Sequence, residues 1–284
     1  MKNEPHNPAI SNPAGAPSPA SDKYTRETIT GIRTWVPGKL FSFTCTRPTG
    51  FRFTAGQFAR LGVDNTLHFP NELDIVWRAY SMVSSPYDEH LEFFSIVVPD
   101  GAFTTHLSQL QVGDPIYLDK TNFGFLTTAR FESGRDLWLL GSGTGLAPFI
   151  SILHDPATWE QFQNIILVHS ARTAEELVYQ ETIKGLSHHP ALLELVEDLP
   201  RRFQYIPVVT REKVPGALDQ RITSLLTQGQ LESTSGLRFS QEHSRFMICG
   251  NPEMVTDIRN TLKDMGFGPA RRNKPGEIAV ENYW

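Results

Sequence analysis

The sequence predicts a two-domain chain, an N-terminal antiparallel β-barrel followed by an α/β domain with a doubly wound parallel sheet. Three observations carry that expectation. The first half holds short, alternating apolar runs broken by Gly and Pro turns. From about residue 133 the runs become short and continuously apolar, with helical signals between them, as buried parallel strands require. The chain has 284 residues, 39% of them hydrophobic and 20% charged, which is enough to bury two cores. Composition shifts divide it into a tail at 1–21, the barrel at 22–130 and the α/β domain at 131–284.

Residues 1–21 place five prolines among Ala, Asn and Ser, a composition that cannot offset ordering entropy, so a flexible tail is expected. It has neither the apolar stretch of a signal peptide nor the arginines of a transit peptide. Phe41-Ser42-Phe43-Thr44-Cys45, Phe51-Arg52-Phe53 and much of 92–98 alternate as strands do. Pro37-Gly38, Pro48-Thr49-Gly50, Pro99-Asp100-Gly101 and Gly113-Asp114-Pro115 supply the turns. The stretch 64–74 has no such pattern and predicts a loop, while Ala102-Phe103-Thr104-Thr105 can open a helix. In the second half, 137–140, 165–168, 205–209 and 246–248 predict parallel strands. A helix at 146–153 follows a glycine turn, and Thr173-Ala174-Glu175-Glu176 has the form of a capping box opening another. Asn251-Pro252 reads as an N-cap with Pro at the first helical position, and Gly266 as the residue that closes that helix.

Composition also excludes. A net charge of −5 argues against a globally basic nucleic-acid binder. Two cysteines, Cys45 and Cys249, cannot build a disulfide framework, a four-thiolate zinc site or an iron–sulfur cluster, and they fit a reducing cytoplasm. No apolar run approaches the roughly 20 residues of a membrane helix. The expectation is a cytoplasmic monomer that binds neither membrane, nucleic acid nor metal.

In an open parallel sheet, ligands bind beyond the carboxyl ends of the strands. The first such end reads Gly141-Ser142-Gly143-Thr144-Gly145, whose glycines let backbone approach a diphosphate or simply make a tight turn. The second ends His169-Ser170-Ala171-Arg172 and the third Val208-Val209-Thr210-Arg211, with Arg221 ten residues on. Each arginine alone reads as a solvated surface cation, but three placed after successive strands near one edge favour an anion site. No acidic residue ends the second strand, where a ribose hydroxyl would want one, which tilts the choice to a 2′-phosphate and hence NADP. The fourth ends Cys249-Gly250-Asn251-Pro252, where the Cys is either inert packing or, at a ligand edge and followed by Gly, close to a planar ring. In the β half, Arg78-Ala79-Tyr80-Ser81 presents cation, aromatic ring and hydroxyl in four residues, with Arg78 and Tyr80 on one strand face.

These pieces fall in one order: R-x-Y-S, the Pro99-Asp100-Gly101 turn, G-x-G-T-G-x-A-P, S-A-R, T-R-E, C-G-N-P and a final E-x-Y-W. From about residue 24 to 284 the chain resembles the bacterial ferredoxin (flavodoxin)–NADP reductase family, most closely its enterobacterial-type members, although the segment 64–76 is longer. The resemblance implies an FAD-binding barrel, an NADP(H) domain, and electron exchange between NADPH and ferredoxin or flavodoxin. It implies that Arg78, Ala79, Tyr80 and Ser81 hold the flavin, Tyr80 by stacking and Ser81 by a hydrogen bond near N5. Phe93, Ser95, Ala102, Phe103 and Thr104 would line the ribityl and diphosphate, and Thr144 the flavin–nicotinamide junction. Ala171, Arg172, Thr210, Arg211 and Arg221 would bind the adenosine phosphate end, with Cys249, Gly250 and Asn251 by the nicotinamide. Glu281 would assist the redox centre, Tyr283 would shield the other flavin face as a gate, and Trp284 would pack on the adenine.

Carriers of this kind are acidic, so the basic run Arg271-Arg272-Asn273-Lys274 is either a docking patch or a solvated turn. Two rival functions remain open. One is an NAD(P)H-dependent reductase component of an oxygenase, whose usual fused four-cysteine module the two cysteines exclude. The other is a nucleotide-binding regulatory subunit without turnover, which predicts loss of flavin-facing residues that are in fact present.

Overall fold

The structure is a computed structural model and describes residues 23–64, 75–99, 101–271 and 274–282. The expected tail, most of the expected loop before Arg78, and Arg272, Tyr283 and Trp284 lie outside the described residues.

Six strands build the first domain: β1 (Tyr24–Val36), β2 (Leu40–Thr46), β3 (Phe58–Asp64), β4 (Ile75–Ser81), β5 (His90–Ile96) and β6 (Pro115–Phe123). They form one antiparallel sheet in the order β4-β3-β6-β1-β2-β5. The sheet curls until its two edges meet, but the closing ladder is a single bridge, Met82 to Phe93. The expected barrel is thus a curled sheet joined at one point. β2 shows why its alternation is only half visible in burial. Phe41, Phe43 and Cys45 fill the barrel core, while Leu40 on the opposite face packs into the second domain's core. Phe51-Arg52-Phe53, expected as strand, pairs with no neighbour. Both rings are buried, and the Arg47 guanidinium donates to the Phe51 carbonyl at 2.8 and 3.1 Å, so an extended loop plugs the barrel without a ladder.

The second domain has five parallel strands, β7 (Asp136–Ser142), β8 (Asn164–Ala171), β9 (Phe203–Val209), β10 (Ser244–Gly250) and β11 (Ile278–Asn282), in the order β11-β10-β7-β8-β9. Four are the apolar runs seen in the sequence; β11 is too short and too polar to announce itself. Helices cover both faces, giving two apolar clusters on either side of the sheet. One cluster also takes in Val36, Leu40, Ala55, Val83 and Phe94 of the first domain, so the two domains share a core. Strand order reverses between β7 and β10, and the crevice beyond those two carboxyl ends is the natural ligand position.

The local signals fare unequally. Asn251 caps the helix Pro252–Asp264, its Oδ1 accepting from the Glu253 and Met254 N–H groups at 3.0 and 3.2 Å, and Gly266 follows that helix at φ +95°. The capping box at Thr173 does not form. Only a 3₁₀ turn, Ala174–Glu176, is present, the Thr173 side chain makes no cap, and the Glu176 carboxylate is engaged elsewhere. Among the described residues no helix is long and apolar enough to cross a membrane.

Candidate functional site

Two of the cavities between the domains hold most of the site residues expected from the sequence. The first, about 640 Å³, is a largely apolar slot walled by β4, the end of β5, the turn into the helix Ala102–Leu107, and the end of β11. Arg78, Ala79, Tyr80 and Ser81 line it, with Ser95, Ala102, Phe103 and Thr104. The Tyr80 hydroxyl lies 2.9 Å from Ser95 Oγ, and its ring leans on Phe103 at 5.5 Å between centroids. Burial pushes the Tyr80 phenol up to about 12, so it stays neutral. Thr104 Oγ1 accepts from the Val98 N–H at 3.1 Å and lies 3.2 Å from the Val98 carbonyl, pinning the turn that carries Ala102 and Phe103. Phe93 does not reach the wall; it is fully buried in the barrel core with its ring edge to Tyr80, and its neighbours Phe94 and Ile96 line the slot instead.

Two polar atoms in this wall have no partner among the described residues. Ser81 Oγ and Glu281 Oε2 are both buried without a hydrogen bond, although both residues line the slot. Burial raises the Glu281 carboxyl to about 8, so it holds its proton at neutral pH. Gly124, at φ +101°, makes the room for it, since a Cβ there would lie 2.9 Å from Glu281 Oε1. An apolar slot with two unsatisfied polar groups on its wall fits a planar, polar-edged ring system, because a buried polar atom left unpaired costs about 1–3 kcal/mol.

The second cavity, about 690 Å³, is a trough over the strand ends. Its floor is the turn Ser142, Gly143 and Thr144, and its sides carry Ala171, Arg172, Thr210, Arg211, Arg221, Gly250 and Asn251. Gly145 is what lets the β7 turn lie on the end of β10, since a Cβ there would fall 2.3 Å from the Cys249 carbonyl oxygen. Hydrogen bonds from Thr210 N–H to the Ala171 carbonyl (3.1 Å) and from Arg211 N–H to the Arg172 carbonyl (3.0 Å) extend the pairing of β8 and β9 past their ends, bringing the two arginines side by side. Arg172, Arg211 and Arg221 are exposed and form no ion pair among the described residues. Cys249 does not line the trough. Its side chain is fully buried in the shared apolar core, and only Gly250 and Asn251 beside it reach the wall.

Sequence reasoning missed Lys39 and four carboxylates of the trough, Glu176, Asp219, Glu253 and Asp257. Lys39 comes from the first domain's β1–β2 turn, and nothing local in the sequence ties that turn to Arg172. Its ammonium pairs with Glu176, whose other oxygen accepts the Arg172 N–H at 3.1 Å. Burial acts to raise the Glu176 carboxyl, but these two partners outweigh it and hold it below its ordinary value, so it is ionised.

The slot and the trough share two wall residues, Ile96 and Thr144. A ring filling the slot therefore meets the trough at Thr144, where a second ring entering along the strand ends would lie against it.

Comparison with known proteins agrees with this arrangement. Residues 139–260 match the family described as "Oxidoreductase NAD-binding domain". The protein named Ferredoxin–NADP reductase A of Sorangium cellulosum is 38% identical over 260 residues, spanning 91% of this chain and 89% of that protein. Flavodoxin/ferredoxin–NADP reductase of Escherichia coli is 36% identical over 257 residues, 90% of this chain and 97% of that protein. A crystal structure of a ferredoxin NADP+ reductase from Neisseria gonorrhoeae with bound FAD and NADP superposes with a TM-score of 0.83 at 38% identity, covering 93% of this chain and all of that one.

Proposed function

The chain belongs to the ferredoxin (flavodoxin)–NADP reductase family, and from that premise we propose which of its residues do the work. The protein is an oxidoreductase that moves electrons between NADPH and ferredoxin or flavodoxin by way of FAD. FAD, when bound, supplies the exchange between a two-electron hydride donor and a one-electron carrier. The residues orient, shield and tune.

In this reading the slot takes the isoalloxazine ring, with Tyr80 against one face and Ser95 holding Tyr80 in place. Ser81 and the protonated Glu281 supply hydrogen bonds to the ring's polar edge, which satisfies both orphaned oxygens. Arg78 and the turn at Ala102, Phe103 and Thr104 take the ribityl and diphosphate. The trough takes NADP(H), with Arg172, Arg211 and Arg221 on its phosphates, Gly250 and Asn251 toward the nicotinamide, and Thr144 where the two rings meet. Cys249 acts from beneath, by fixing the backbone on which Gly250 lies. Tyr283 and Trp284 are assigned from the resemblance alone, Tyr283 to the second ring face and Trp284 to the adenine. The observation that carries the reading is the wall shared by the two cavities, with two unpaired polar atoms on its slot side. Stopped-flow mixing of the purified yellow protein with NADPH tests it. Rapid bleaching, slower with NADH, followed by recovery on adding oxidised flavodoxin, is expected; a colourless chain that takes up neither FAD nor reducing equivalents would refute it.

For the carrier we place docking on a hollow of about 380 Å³ behind β11, lined by Phe125, Arg130, Arg259, Lys263 and Arg271 and, among the described residues, by no carboxylate. The Arg130 guanidinium lies over the exposed Phe125 ring at 4.6 Å. Four cations on a chain of net charge −5 suit an acidic partner. Ile278, Ala279 and Val280 floor this hollow, and Glu281 and Asn282 of the same strand line the slot, so a docked carrier comes close to the flavin. Arg259→Glu with Arg271→Glu is expected to raise the KM for flavodoxin about tenfold at low salt, while turnover with a small neutral quinone is unchanged. Equal losses with both acceptors would remove the hollow as the docking surface. We take the working unit to be a single chain, since one chain lines both cavities, and place it in the cytoplasm, whose reducing medium suits two buried cysteines that form no disulfide with each other; sedimentation at working concentration checks the first point.

A further inference from the structure

We infer that Lys39, a first-domain residue, is a specificity determinant for the 2′-phosphorylated dinucleotide and acts by neutralising Glu176 inside the trough. The inference rests on the trough being the NADP(H) site. Its basis is charge bookkeeping in that cavity. Among the described residues the trough's four cations and four carboxylates cancel, and of those carboxylates only Glu176 is held in an ion pair. That pair joins the two domains. Glu176 is nearly buried, with its side chain 11% exposed, and it abuts Arg172 through the Arg172 backbone N–H. Lys39 is fixed from the other side, because its carbonyl accepts the Val97 N–H at 2.8 Å, next to Ile96 in the wall shared with the slot.

Removing one member of such a pair leaves an uncompensated charge in a confined space. Without Lys39 the Glu176 carboxylate faces Arg172 directly. It then competes for the guanidinium and adds a negative charge where a phosphate must bind. NADPH carries the additional phosphate, so it suffers more than NADH. Lys39 is thus a positioning residue, and its absence adds a repulsive element against the more charged ligand.

The sign of each substitution follows. Lys39→Met is expected to raise the KM for NADPH about tenfold and that for NADH by less than about threefold, with kcat at saturation within about twofold. Adding Glu176→Gln to Lys39→Met removes the stranded charge while keeping an oxygen for the Arg172 N–H, and is expected to return the NADPH KM to within about threefold of the parent. A merely structural bridge predicts the opposite, a double variant no better than the single. Glu176→Gln alone frees Lys39 as a cation in the trough and is expected to lower the NADPH KM; a rise overturns the inference even if Lys39→Met fails to fold. Glu181→Gln, which breaks the exposed Arg33–Glu181 pair (3.7 Å) between the same domains, serves as the control and is expected to change neither KM. The Arg172→Ala, Arg211→Ala variant separates the two levels. If it too leaves the KM ratio of NADPH to NADH unchanged, the trough reading itself has failed. If it raises that ratio while Lys39→Met does not, only the role of Lys39 is lost.

Discussion

Replacing Arg172 and Arg211 together by alanine is expected to raise the KM for NADPH by about two orders of magnitude while NADH changes by less than about threefold. Each guanidinium stands exposed at a strand end and forms no ion pair among the described residues, and their backbones are joined by the 3.0 Å hydrogen bond from Arg211 to Arg172. Such paired forks suit a phosphate, and a charge-assisted hydrogen bond contributes about 1.5–3 kcal/mol, so two of them amount to a factor of 100 or more. The same exposure predicts little effect on folding, and the melting temperature is expected to move by no more than about 2 °C. Steady-state kinetics with both nucleotides checks the claim. An equal loss for NADPH and NADH would mean that these arginines hold the common part of the dinucleotide and do not read the 2′-phosphate.

The second large effect belongs to Glu281 and appears as pH dependence. Burial raises its carboxyl from 4.5 to about 8. A folded-state value above the unfolded one means that the folded chain binds the extra proton between about pH 4.5 and 8. The stability this contributes is complete below the unfolded value and is lost as pH rises through about 8. FAD-free protein is therefore expected to lose up to a few kcal/mol of unfolding free energy between pH 5 and pH 9, and Glu281→Gln to flatten that loss. Denaturant melts at the two pH values decide it; parallel curves for parent and variant would mean that Glu281 is ionised throughout. The same titration bears on catalysis. A protonated Glu281 can donate a hydrogen bond across the slot, and Gln keeps a donor without titrating. The rate of NADPH-driven flavin reduction is expected to fall above about pH 8 in the parent and to stay level in Glu281→Gln.

The elements that were legible in the sequence are those set by neighbouring residues. The runs at 137–140 and 165–168 are strands because continuous apolar residues suit a sheet covered on both faces. Asn251-Pro252 caps its helix because the cap needs only the two N–H groups that follow. Phe51 and Phe53 show the limit of such patterns. Alternation reports that two rings face one way, which an extended loop tied down by Arg47 achieves as well as a strand. Thr173 and Glu176 show another limit. The box pattern was present, but Glu176 gives one oxygen to an ammonium from the first domain and the other to the Arg172 N–H, one residue before the cap position, so the reciprocal bonds of a box do not form.

By itself, then, the sequence determined the two fold classes, four of the parallel strands with the turns that follow them, the arginines that edge the parallel sheet, and the ordered motif set that points to FAD and NADP(H). Only the tertiary structure decided which residues meet. It brought Thr144 to Ile96, set Glu281 into the slot that Ser81 lines, drew Phe93 behind the slot and Cys249 beneath the trough, and closed Lys39 onto Glu176, 137 positions away. The reason is the range of the forces. Turns, caps and strand preference act over a few residues of chain, whereas the two cavities exist only because the shared apolar core fixes how one domain lies against the other, and that fit depends on side chains from the whole length of the chain at once.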